Sequence, residues 1–177
     1  MGQFTFNETT IEGVFIIEPK VFGDERGYFL ETYNKKDFEQ AGINCDFFQD
    51  NMSKSKKGVL RGLHFQKKYP QAKLLRVAQG EVFDVAVDLR ENSTTWGKYV
   101  GVILSATKKN MLFIPKGFAH GFLVLSEEAE FTYKCDEYYH PEDEGGIRWD
   151  DPKIGIEWPA LECKYSLSEK DRSFNFS

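Results

Sequence analysis

Residues 81–89 read Glu-Val-Phe-Asp-Val-Ala-Val-Asp-Leu and carry the clearest structural signal in this chain of 177 residues. Val85, Val87 and Leu89 alternate with the residues between them, and this period of two predicts a β-strand with one face turned inward. Similar short runs flank it, separated by turn-forming Gly and Pro residues. Many short strands at regular spacing predict an all-β sandwich or barrel. The expected strands are Phe4–Phe6, Val14–Ile17, Tyr28–Tyr33, Lys73–Val77, Glu81–Leu89, Tyr99–Leu104, Met111–Ile114, Gly121–Leu125 and Glu130–Lys134.

Helix signals are few. Asn34 can cap a short helix over 35–41, with Gly42 just beyond its end. Near the C-terminus, Ser168 can cap a second short helix, with Asp171 three residues on as in a capping box. We therefore expect a few short helices beside the strands.

The composition indicates one aromatic-rich domain spanning residues 1–177. Sixteen Phe, eight Tyr and three Trp suit a β-rich core or interface. The net charge of -5 argues against a general nucleic-acid-binding role, although a local basic pocket can still bind an anion. No stretch is long and apolar enough to predict a membrane span.

The cysteines bear on the cellular compartment. Cys45, Cys135 and Cys163 are far apart, odd in number and form no CxxC pair, so we expect neither a disulfide framework nor a zinc site. The first ten residues lack the basic and apolar regions of a secretory signal. These features favour a reducing compartment and predict a cytoplasmic protein.

The segment 114–122, Ile-Pro-Lys-Gly-Phe-Ala-His-Gly-Phe, has the P-x-G-x-x-H pattern of the second cupin motif. In that motif Pro and Gly form a turn, and the histidine, here His120, points into the mouth of a β-barrel. The H-x-H of the first cupin motif is missing: His64 stands alone, and His140 falls in an expected loop. Transition-metal sites usually need three or more N, O or S ligands, so we expect no metal.

Residues 61–66, Arg-Gly-Leu-His-Phe-Gln, place Arg61 three positions before His64. On a straight strand two such residues face opposite ways, whereas on a helix or a bent turn they lie on one side. Gly62 permits such a bend or a close ligand approach. A titratable base beside a fixed cation is typical of a site for an anionic substrate. The alternative is a strand-end histidine near a surface arginine.

Taken together, several segments resemble the dTDP-4-dehydrorhamnose 3,5-epimerase family, a metal-free branch of the cupin superfamily. The resemblance runs from about residue 10 to residue 172, and the matching segments are 24–27, 49–51, 58–66, 71–74, 84–90, 114–122, 133–134 and 167–171. It implies a cupin or jelly-roll barrel that inverts C3 and C5 of dTDP-4-dehydro-6-deoxy-D-glucose to give dTDP-4-dehydro-L-rhamnose, in dTDP-L-rhamnose biosynthesis. Both hydrogens lie next to the C4 ketone, so the chemistry needs a base, an acid opposite it, and hydrogen bonding or positive charge at the enolate oxygen. The substrate carbonyl is its own electron sink, so no cofactor is expected.

The resemblance implies catalytic roles for four residues. His64 matches the base, and Asp171 matches the carboxylate that pairs with it. Tyr133 matches the acid on the opposite face, and Lys73 matches the cation near the ketone oxygen. The residues themselves leave alternatives open: Asp171 as a helix cap, Tyr133 as a core or rim aromatic, and Lys73 as a solvated strand lysine.

The resemblance also implies substrate contacts. Arg61 and His120 match positions that contact the sugar or phosphate, although His120 also suits the barrel interior. The positions that match the nucleotide half, or else are surface charges and turn residues, are Arg26, Glu31, Gln49, Asp50, Asn51, Glu144 and Lys170. A homodimer is implied, in which the partner's N-terminal strands, with Arg26, reach across to the site.

Two departures from the family pattern stand out. The chain ends at Ser177, soon after Asp171, which predicts a shorter or looser cap over the site. The turn at 93–97 lacks an expected proline. Four alternative functions stay open: a single-site epimerase, an epimerase of another nucleotide sugar such as a GDP-heptose, a non-catalytic cupin sugar-binding module, and a metal-dependent cupin oxygenase.

Overall fold

The computed structural model describes residues 2–175, and Ser177 lies outside this range. Most of the regular structure is β-strand, together with two short helices and one 3-10 turn, Pro141–Asp143. The elements are β1 (Phe4–Glu8), β2 (Phe15–Pro19), β3 (Phe22–Asp24), β4 (Gly27–Phe29), α1 (Lys35–Gln40), β5 (Gln49–Lys56), β6 (Leu60–Gln66), β7 (Lys73–Gln79), β8 (Glu81–Asp88), β9 (Tyr99–Ser105), β10 (Met111–Ile114), β11 (Phe118–Val124), β12 (Glu128–Cys135), β13 (Glu144–Gly146) and α2 (Glu169–Ser173).

The strands form two antiparallel sheets and a separate hairpin. One sheet has the order β1-β2-β10-β7-β12-β5, and the other has the order β13-β6-β11-β8-β9. The hairpin joins β3 to β4. Two such sheets packed face to face are the jelly-roll arrangement of cupins, so the predicted all-β fold is confirmed.

The main hydrophobic core lies between the two sheets. Leu75, Leu112 and Phe131 enter it from the six-stranded sheet, and Val82 and Phe122 enter it from the five-stranded sheet. Each of these side chains is at least 95% buried. Burial of one large apolar side chain contributes roughly 1.5–3 kcal/mol, so this layer holds the two sheets together.

Strand β8 departs from the predicted pattern of one inward face, because both of its faces are buried. Ala86 belongs to the core between the sheets. Val85 and Val87 lie on the outer face and pack against Ile154 and Trp158 of the segment that follows β13. The alternation was read correctly as a strand, but it could not reveal that a later segment covers the second face.

The predicted strand at Tyr28–Tyr33 is wrong beyond Phe29. Only Gly27–Phe29 is strand, within the β3–β4 hairpin, and Tyr28 and Phe29 are 64% and 67% exposed. Tyr28 and Phe29 lie on an exposed surface, whereas Tyr33 packs against Phe38 without being part of a strand. Strands β5 and β6 were not among the expected strands; β5, Gln49–Lys56, has few apolar side chains to mark it.

Both predicted helices are present. The Asn34 side chain accepts a hydrogen bond from the backbone N–H of Lys36, 3.1 Å away, and α1 buries Phe38 against the outer face of the six-stranded sheet. This helix ends at Gln40, one residue before its predicted end. The Ser168 hydroxyl accepts from the backbone N–H of Asp171 at the start of α2.

Candidate active site

Arg61 and His64 lie on the same face of β6. His64 pairs with His120 of β11, whereas Arg61 pairs with Phe122, so three steps along β6 match two steps along β11. Side chains alternate along a strand, and His120 and Phe122 therefore share one face. Their partners on β6, His64 and Arg61, therefore also share a face, because the bulge places one extra residue of β6 between them. The bent alternative for the hexapeptide is the one that the structure shows.

Gly62 allows the backbones of β6 and β11 to approach closely at this bulge. Its φ is 112°, a conformation that side-chain-bearing residues rarely adopt. A Cβ atom at this position would lie 2.6 Å from the Cα of Gly121 and 2.6 Å from the carbonyl oxygen of His120. The glycine is required by the neighbouring strand, and this requirement needs no bound ligand.

The opposite wall of the site comes from the six-stranded sheet. Lys73 stands two residues before Leu75 on β7, and Tyr133 stands two residues after Phe131 on β12. Both core residues face the space between the sheets, so the period of two turns Lys73 and Tyr133 the same way. Asn51 of β5 is directly opposite Tyr133 in the ladder between β5 and β12, so its side chain lies on the same face of the sheet as Tyr133.

These walls enclose a cavity of about 270 Å³ between the sheets. Its lining is mostly polar, unlike the core next to it. The lining residues are Gln49, Asn51, His64, Phe65, Gln66, Gln71, Lys73, Tyr133, Tyr139 and Glu144. The volume lies near the lower end of the 300–1,000 Å³ typical of small-molecule sites, so it suits one sugar ring better than a whole nucleotide sugar.

His64 is held by a carboxylate from the C-terminal helix. Its Nε2 lies 2.5 Å from Oδ1 of Asp171, which is 4% exposed. Burial works to raise the pKa of Asp171, but the hydrogen bond and the charge of His64, together with hydrogen bonds from Ser168 and Gly62, lower it overall. Asp171 is also the third residue of α2, where its backbone N–H donates to the capping hydroxyl of Ser168. The pairing at Nε2 leaves Nδ1 as the ring nitrogen free to act in the cavity.

Phe174 packs against His64 and was not identified from the sequence. Its ring centroid lies 5.6 Å from that of His64, at an interplanar angle of 72°. It also covers Gly146, the residue opposite His64 on β13. A single phenylalanine after a short helix gives no pattern that would identify it.

Tyr133 and Lys73 have environments that suit an acid and an oxyanion partner. Burial raises the pKa of Tyr133 to about 12, so its hydroxyl keeps its proton at neutral pH. Burial lowers the pKa of Lys73. The Lys73 ammonium lies 5.8 Å from the centroid of the Tyr133 ring, and both groups reach the same cavity. A desolvated cation at such a place stabilises a developing negative charge strongly.

Glu144 lies beside His64 on the cavity wall. One of its oxygens, Oε1, is 3.7 Å from Nδ1 of His64. The other, Oε2, accepts hydrogen bonds from the Tyr139 hydroxyl, at 2.6 Å, and from the Lys170 ammonium. Burial works to raise the pKa of Glu144, but the bonds from Lys170 and Tyr139 lower it overall, so the group is an anion at neutral pH. Tyr139 was not identified from the sequence.

His120 lies deeper between the sheets than His64. Its Nε2 bonds to both carboxylate oxygens of Asp84, at 3.1 and 2.9 Å, and its ring stacks on Phe131. Burial lowers the pKa of His120, which keeps the ring neutral. His120 is bonded and buried as the interior alternative expects, and its contact with the substrate stays a prediction. The buried Asp84 was missed as a partner, although its position inside an apolar strand was a signal.

The predicted nucleotide-half residues divide into two groups. Gln49, Asn51 and Glu144 line the cavity, and Lys170 reaches its edge through Glu144. Arg61 also faces this region and donates from Nε and Nη2 to the Ser55 hydroxyl, at 3.2 and 3.1 Å.

The remaining predicted contacts lie elsewhere in this chain. Asp50 points to the outer face of the sheet and binds Lys134 at 2.9 Å. Arg26 is bound to Asp24 in the β3–β4 hairpin. Glu31 accepts from the Asn34 amide at 3.1 Å. The structure does not bring these three predicted contacts into the cavity.

Among residues 2–175, no three His, Cys, Asp or Glu side chains group together as metal ligands would. A search of the same residues finds no helix with the length and apolar character needed to cross a membrane.

Comparison with known proteins identifies relatives over almost the whole chain. The family described as dTDP-4-dehydrorhamnose 3,5-epimerase matches residues 8–176. The enzyme of that name from Methanothermobacter thermautotrophicus is 57% identical over 175 residues, covering 98% of this chain and 95% of its own. The Escherichia coli enzyme of the same name is 60% identical over 165 residues, 92% of this chain and 89% of its own.

A solved structure extends the comparison to three dimensions. The dTDP-6-deoxy-D-glucose-3,5-epimerase of Legionella pneumophila, in complex with dTDP-4-keto-L-rhamnose, superposes with a TM-score of 0.95 at 52% identity. The match covers 98% of this chain and 92% of that one.

Proposed function

Because this chain belongs to the dTDP-4-dehydrorhamnose 3,5-epimerase family, and is therefore an isomerase, we propose that it inverts C3 and C5 of dTDP-4-dehydro-6-deoxy-D-glucose. The product is dTDP-4-dehydro-L-rhamnose, an intermediate of dTDP-L-rhamnose biosynthesis. The ligand in the Legionella structure, dTDP-4-keto-L-rhamnose, is the same kind of dTDP-linked 4-keto sugar as this product. The substrate supplies its own electron sink, so the reaction uses no cofactor.

One observation carries the proposal: a paired base and a protonated acid face each other across one cavity. His64 and Asp171 act from the side of the five-stranded sheet. Tyr133 acts from the six-stranded sheet, with Lys73 beside it. Inversion at a carbon requires removal of a proton from one face and its return on the other, and two facing walls meet this requirement.

The proposed chemistry proceeds through an enolate. His64 removes the proton next to the C4 ketone through Nδ1, while Asp171 holds Nε2 and stabilises the imidazolium that forms. The C–H electrons move into the carbonyl, and the Lys73 ammonium stabilises the enolate oxygen. Tyr133 then donates its hydroxyl proton to the same carbon from the opposite side, which inverts the centre.

The sugar ring occupies the cavity, and the dTDP half extends from its mouth. Gln49, Asn51 and Arg61 lie where they can hydrogen-bond the sugar hydroxyls or the inner phosphate. Lys170 stands at the edge with a cation for the diphosphate. We assign His120 a supporting place beneath the site, with Asp84.

Solvent exchange tests the function directly. The protein is incubated with the 4-keto sugar in deuterated water, and the product is analysed by NMR and mass spectrometry. We expect deuterium at both C3 and C5 and an L-configured ring. Deuterium at one carbon alone would indicate a single-site epimerase, and none at either carbon with folded protein would refute the proposal. A larger thermal stabilisation by GDP than by TDP would indicate a different nucleotide sugar.

We also propose that the active form is a homodimer in which the β3–β4 hairpin of each chain completes the partner's site. In residues 2–175 this hairpin pairs with no third strand. An isolated two-stranded hairpin is marginally stable in water, and exposed apolar clusters commonly mark protein interfaces. Phe22, Tyr28 and Phe29 are such a cluster, and the side chain of Arg26 beside them is 86% exposed.

A mixed dimer tests this arrangement. Arg26→Ala and His64→Ala chains carry different tags and are co-expressed, and the double-tagged dimer is isolated. If Arg26 acts across the interface, one site of the mixed dimer combines an intact His64 from one chain with an intact Arg26 from the other. That site should be active, whereas both homodimers of the variants should be inactive. A mixed dimer as inactive as both parents, or a monomer by light scattering, would contradict the arrangement.

A cytoplasmic location is part of the same proposal. Cys45, Cys135 and Cys163 are all free thiols, and unpaired cysteines are typical of reducing compartments.

A further inference from the structure

The hydrogen bond to Asp171 holds the ring of His64 at a single atom, Nε2. A ring held at one point can still tilt about it, and a tilt moves the opposite nitrogen, Nδ1, which the proposed reaction uses. Misplacing a reacting group by about 1 Å can cost about a hundredfold in rate. A base that removes a proton from carbon therefore needs a second contact that fixes the plane of its ring.

Phe174 supplies such a contact from the end of α2. Its ring meets that of His64 at a centroid distance of 5.6 Å and an angle of 72°, an edge-to-face arrangement that aromatic rings favour. Phe174 follows Asp171 by three residues, and residues three apart lie on one face of a helical turn. Phe174 is half-buried and does not line the cavity, so it touches the histidine and not the space for the sugar.

Gly146 provides the notch in which the Phe174 ring lies. A Cβ atom at position 146 would come within 2.4 Å of two ring carbons of Phe174. Gly146 is not among the glycines with positive φ, so its backbone would accept alanine, and the ring is what excludes a side chain. Gly146 is also opposite His64 in the ladder between β6 and β13. The side chain missing at 146 therefore leaves the space from which Phe174 reaches His64.

The chain on both sides of this phenylalanine is fixed to the same strand. The Lys170 ammonium bonds to Glu144 at the start of β13. Just beyond the end of β13, the backbone N–H of Arg148 donates to the carbonyl oxygen of Asn175, at 3.2 Å. These contacts lie on either side of the glycine, so the segment 170–175 runs along β13 and holds the ring over its notch.

We propose that Phe174 is a positioning residue for the base: seated over Gly146, it fixes the ring plane of His64, so that Nε2 stays on Asp171 and Nδ1 faces the substrate carbon. This inference rests on the proposed function, in which His64 is the base. Phe174 acts through His64 and takes no part in the proton transfers themselves. Its loss should leave substrate binding intact and slow the chemical step.

Phe174→Ala tests the proposal, because it removes the ring and leaves the base, its carboxylate and the cavity in place. We expect kcat to fall by about ten- to a hundredfold, as for a misplaced reacting group. KM should change by less than about twofold, because the lost contact is not one with the substrate. Phe174→Leu keeps an apolar side chain over the histidine and should recover much of kcat. It also carries the test if Phe174→Ala does not fold.

A double-mutant cycle with Gly146→Ala shows whether the glycine acts through the ring. The added methyl group takes the place of the ring edge and should push Phe174 away, so kcat should fall about as far as in Phe174→Ala. In the double variant no ring is left to displace, and kcat should match that of Phe174→Ala alone. Two losses that multiply would show independent actions at the two positions and would overturn the proposal.

A matched pair elsewhere in the protein controls for the loss of packing. Phe83 packs edge-on against Trp158, with centroids 5.8 Å apart at 79°, and a Cβ atom at Gly101 would lie 2.4 Å from its ring. This ring lies on the outer face of the five-stranded sheet and does not line the cavity. Phe83→Ala and Gly101→Ala should lower the midpoint of thermal unfolding and leave kcat at the wild-type value. An equal fall of kcat in this pair would overturn a specific role for Phe174.

A measurement without substrate separates this inference from the proposed function. The Nε2–H proton of His64, identified by its absence in His64→Ala, should give a resolved NMR signal in the wild type, and this signal should broaden or vanish in Phe174→Ala. An unchanged signal, a wild-type kcat, or a raised KM at unchanged kcat would each overturn the positioning role. Deuterium at neither carbon with the wild type would refute the proposed function, and the NMR comparison would still decide the role of Phe174.

Discussion

Two histidine–aspartate pairs lie side by side in this protein and have different properties. His64 and His120 are directly opposite each other on neighbouring strands, and each bonds through Nε2 to a buried aspartate. The side chain of His64 is 31% exposed and reaches the cavity, whereas that of His120 is 8% exposed. The comparison teaches that access to the cavity, and not the pairing itself, separates the proposed base from the buried histidine.

The two pairs also differ in how they are assembled. Asp84 lies on β8, diagonally across the ladder from His120, so the sheet alone positions that pair. Asp171 comes from α2, 107 positions after His64, so that pair exists only when the C-terminal helix is docked. The first pair is fixed by strand register, and the second depends on a short helix that has its own stability.

The largest effect is expected from removing the accessible histidine. His64→Ala deletes the proposed base and should lower kcat by about a thousandfold, within the range for general acid–base groups. His140→Ala is the matched control, because this histidine lies in the turn with Glu142 and does not line the cavity. Steady-state assays measure both. Comparable rates for His64→Ala and the wild type would support a non-catalytic sugar-binding module.

An intermediate effect, on the free energy of unfolding, is expected from acidification, because of the buried pair of His120 and Asp84. Burial lowers the pKa of His120; Asp84 works to raise it, and Lys73 and His64 lower it further. An unfolded histidine titrates near pH 6.5, so below that pH the unfolded chain binds a proton that the folded chain does not. The free energy of unfolding should therefore fall as the pH drops below about 6.5, by up to about 1.4 kcal/mol per pH unit from this group.

His120→Gln sharpens this prediction. Glutamine cannot be protonated, so urea denaturation at pH 7 and pH 5 should show a smaller loss of stability on acidification than in the wild type. An equally steep loss in both proteins would show that His120 is not a source of the pH dependence.

The smallest effect is expected at the cap of α2. Ser168→Ala removes the hydroxyl that accepts from the backbone N–H of Asp171 and should cost about 1 kcal/mol of helix stability. The hydrogen bond between His64 and Asp171 should weaken, and kcat should fall by a small factor. The hydrogen bonds between His120 and Asp84 should be unaffected. Hydrogen exchange measures both regions. Equal changes in α2 and in β11 would contradict the independent assembly of the two pairs.

The sequence predicted much of this arrangement, and its errors have identifiable causes. The alternation in 81–89 identified β8, and Asn34 and Ser168 identified both helix starts. The polar β5 was missed because part of it lines a cavity where hydrophobic periodicity is absent. The strand predicted at 28–33 was too long, because apolar residues outside a strand give the same local pattern as those of a buried strand.

The site was predicted in part. His64, Tyr133, Lys73 and Asp171 came from a family resemblance, and the structure brings them around one cavity or directly behind it. Phe174 gave no sequence signal that could identify it. It acts by packing, and packing partners remote in the chain leave no local pattern.

By itself the sequence determined the local features of this protein: its strand class, its helix caps and the glycine at position 62. Only the tertiary structure decided that Arg61 and His64 share a face, because a bulge against β11 shifts the register. It also decided that His120 is buried and that Asp171 reaches His64. The physical reason is that alternation and capping act over a few residues, whereas register, burial and the meeting of distant side chains depend on how the whole chain packs.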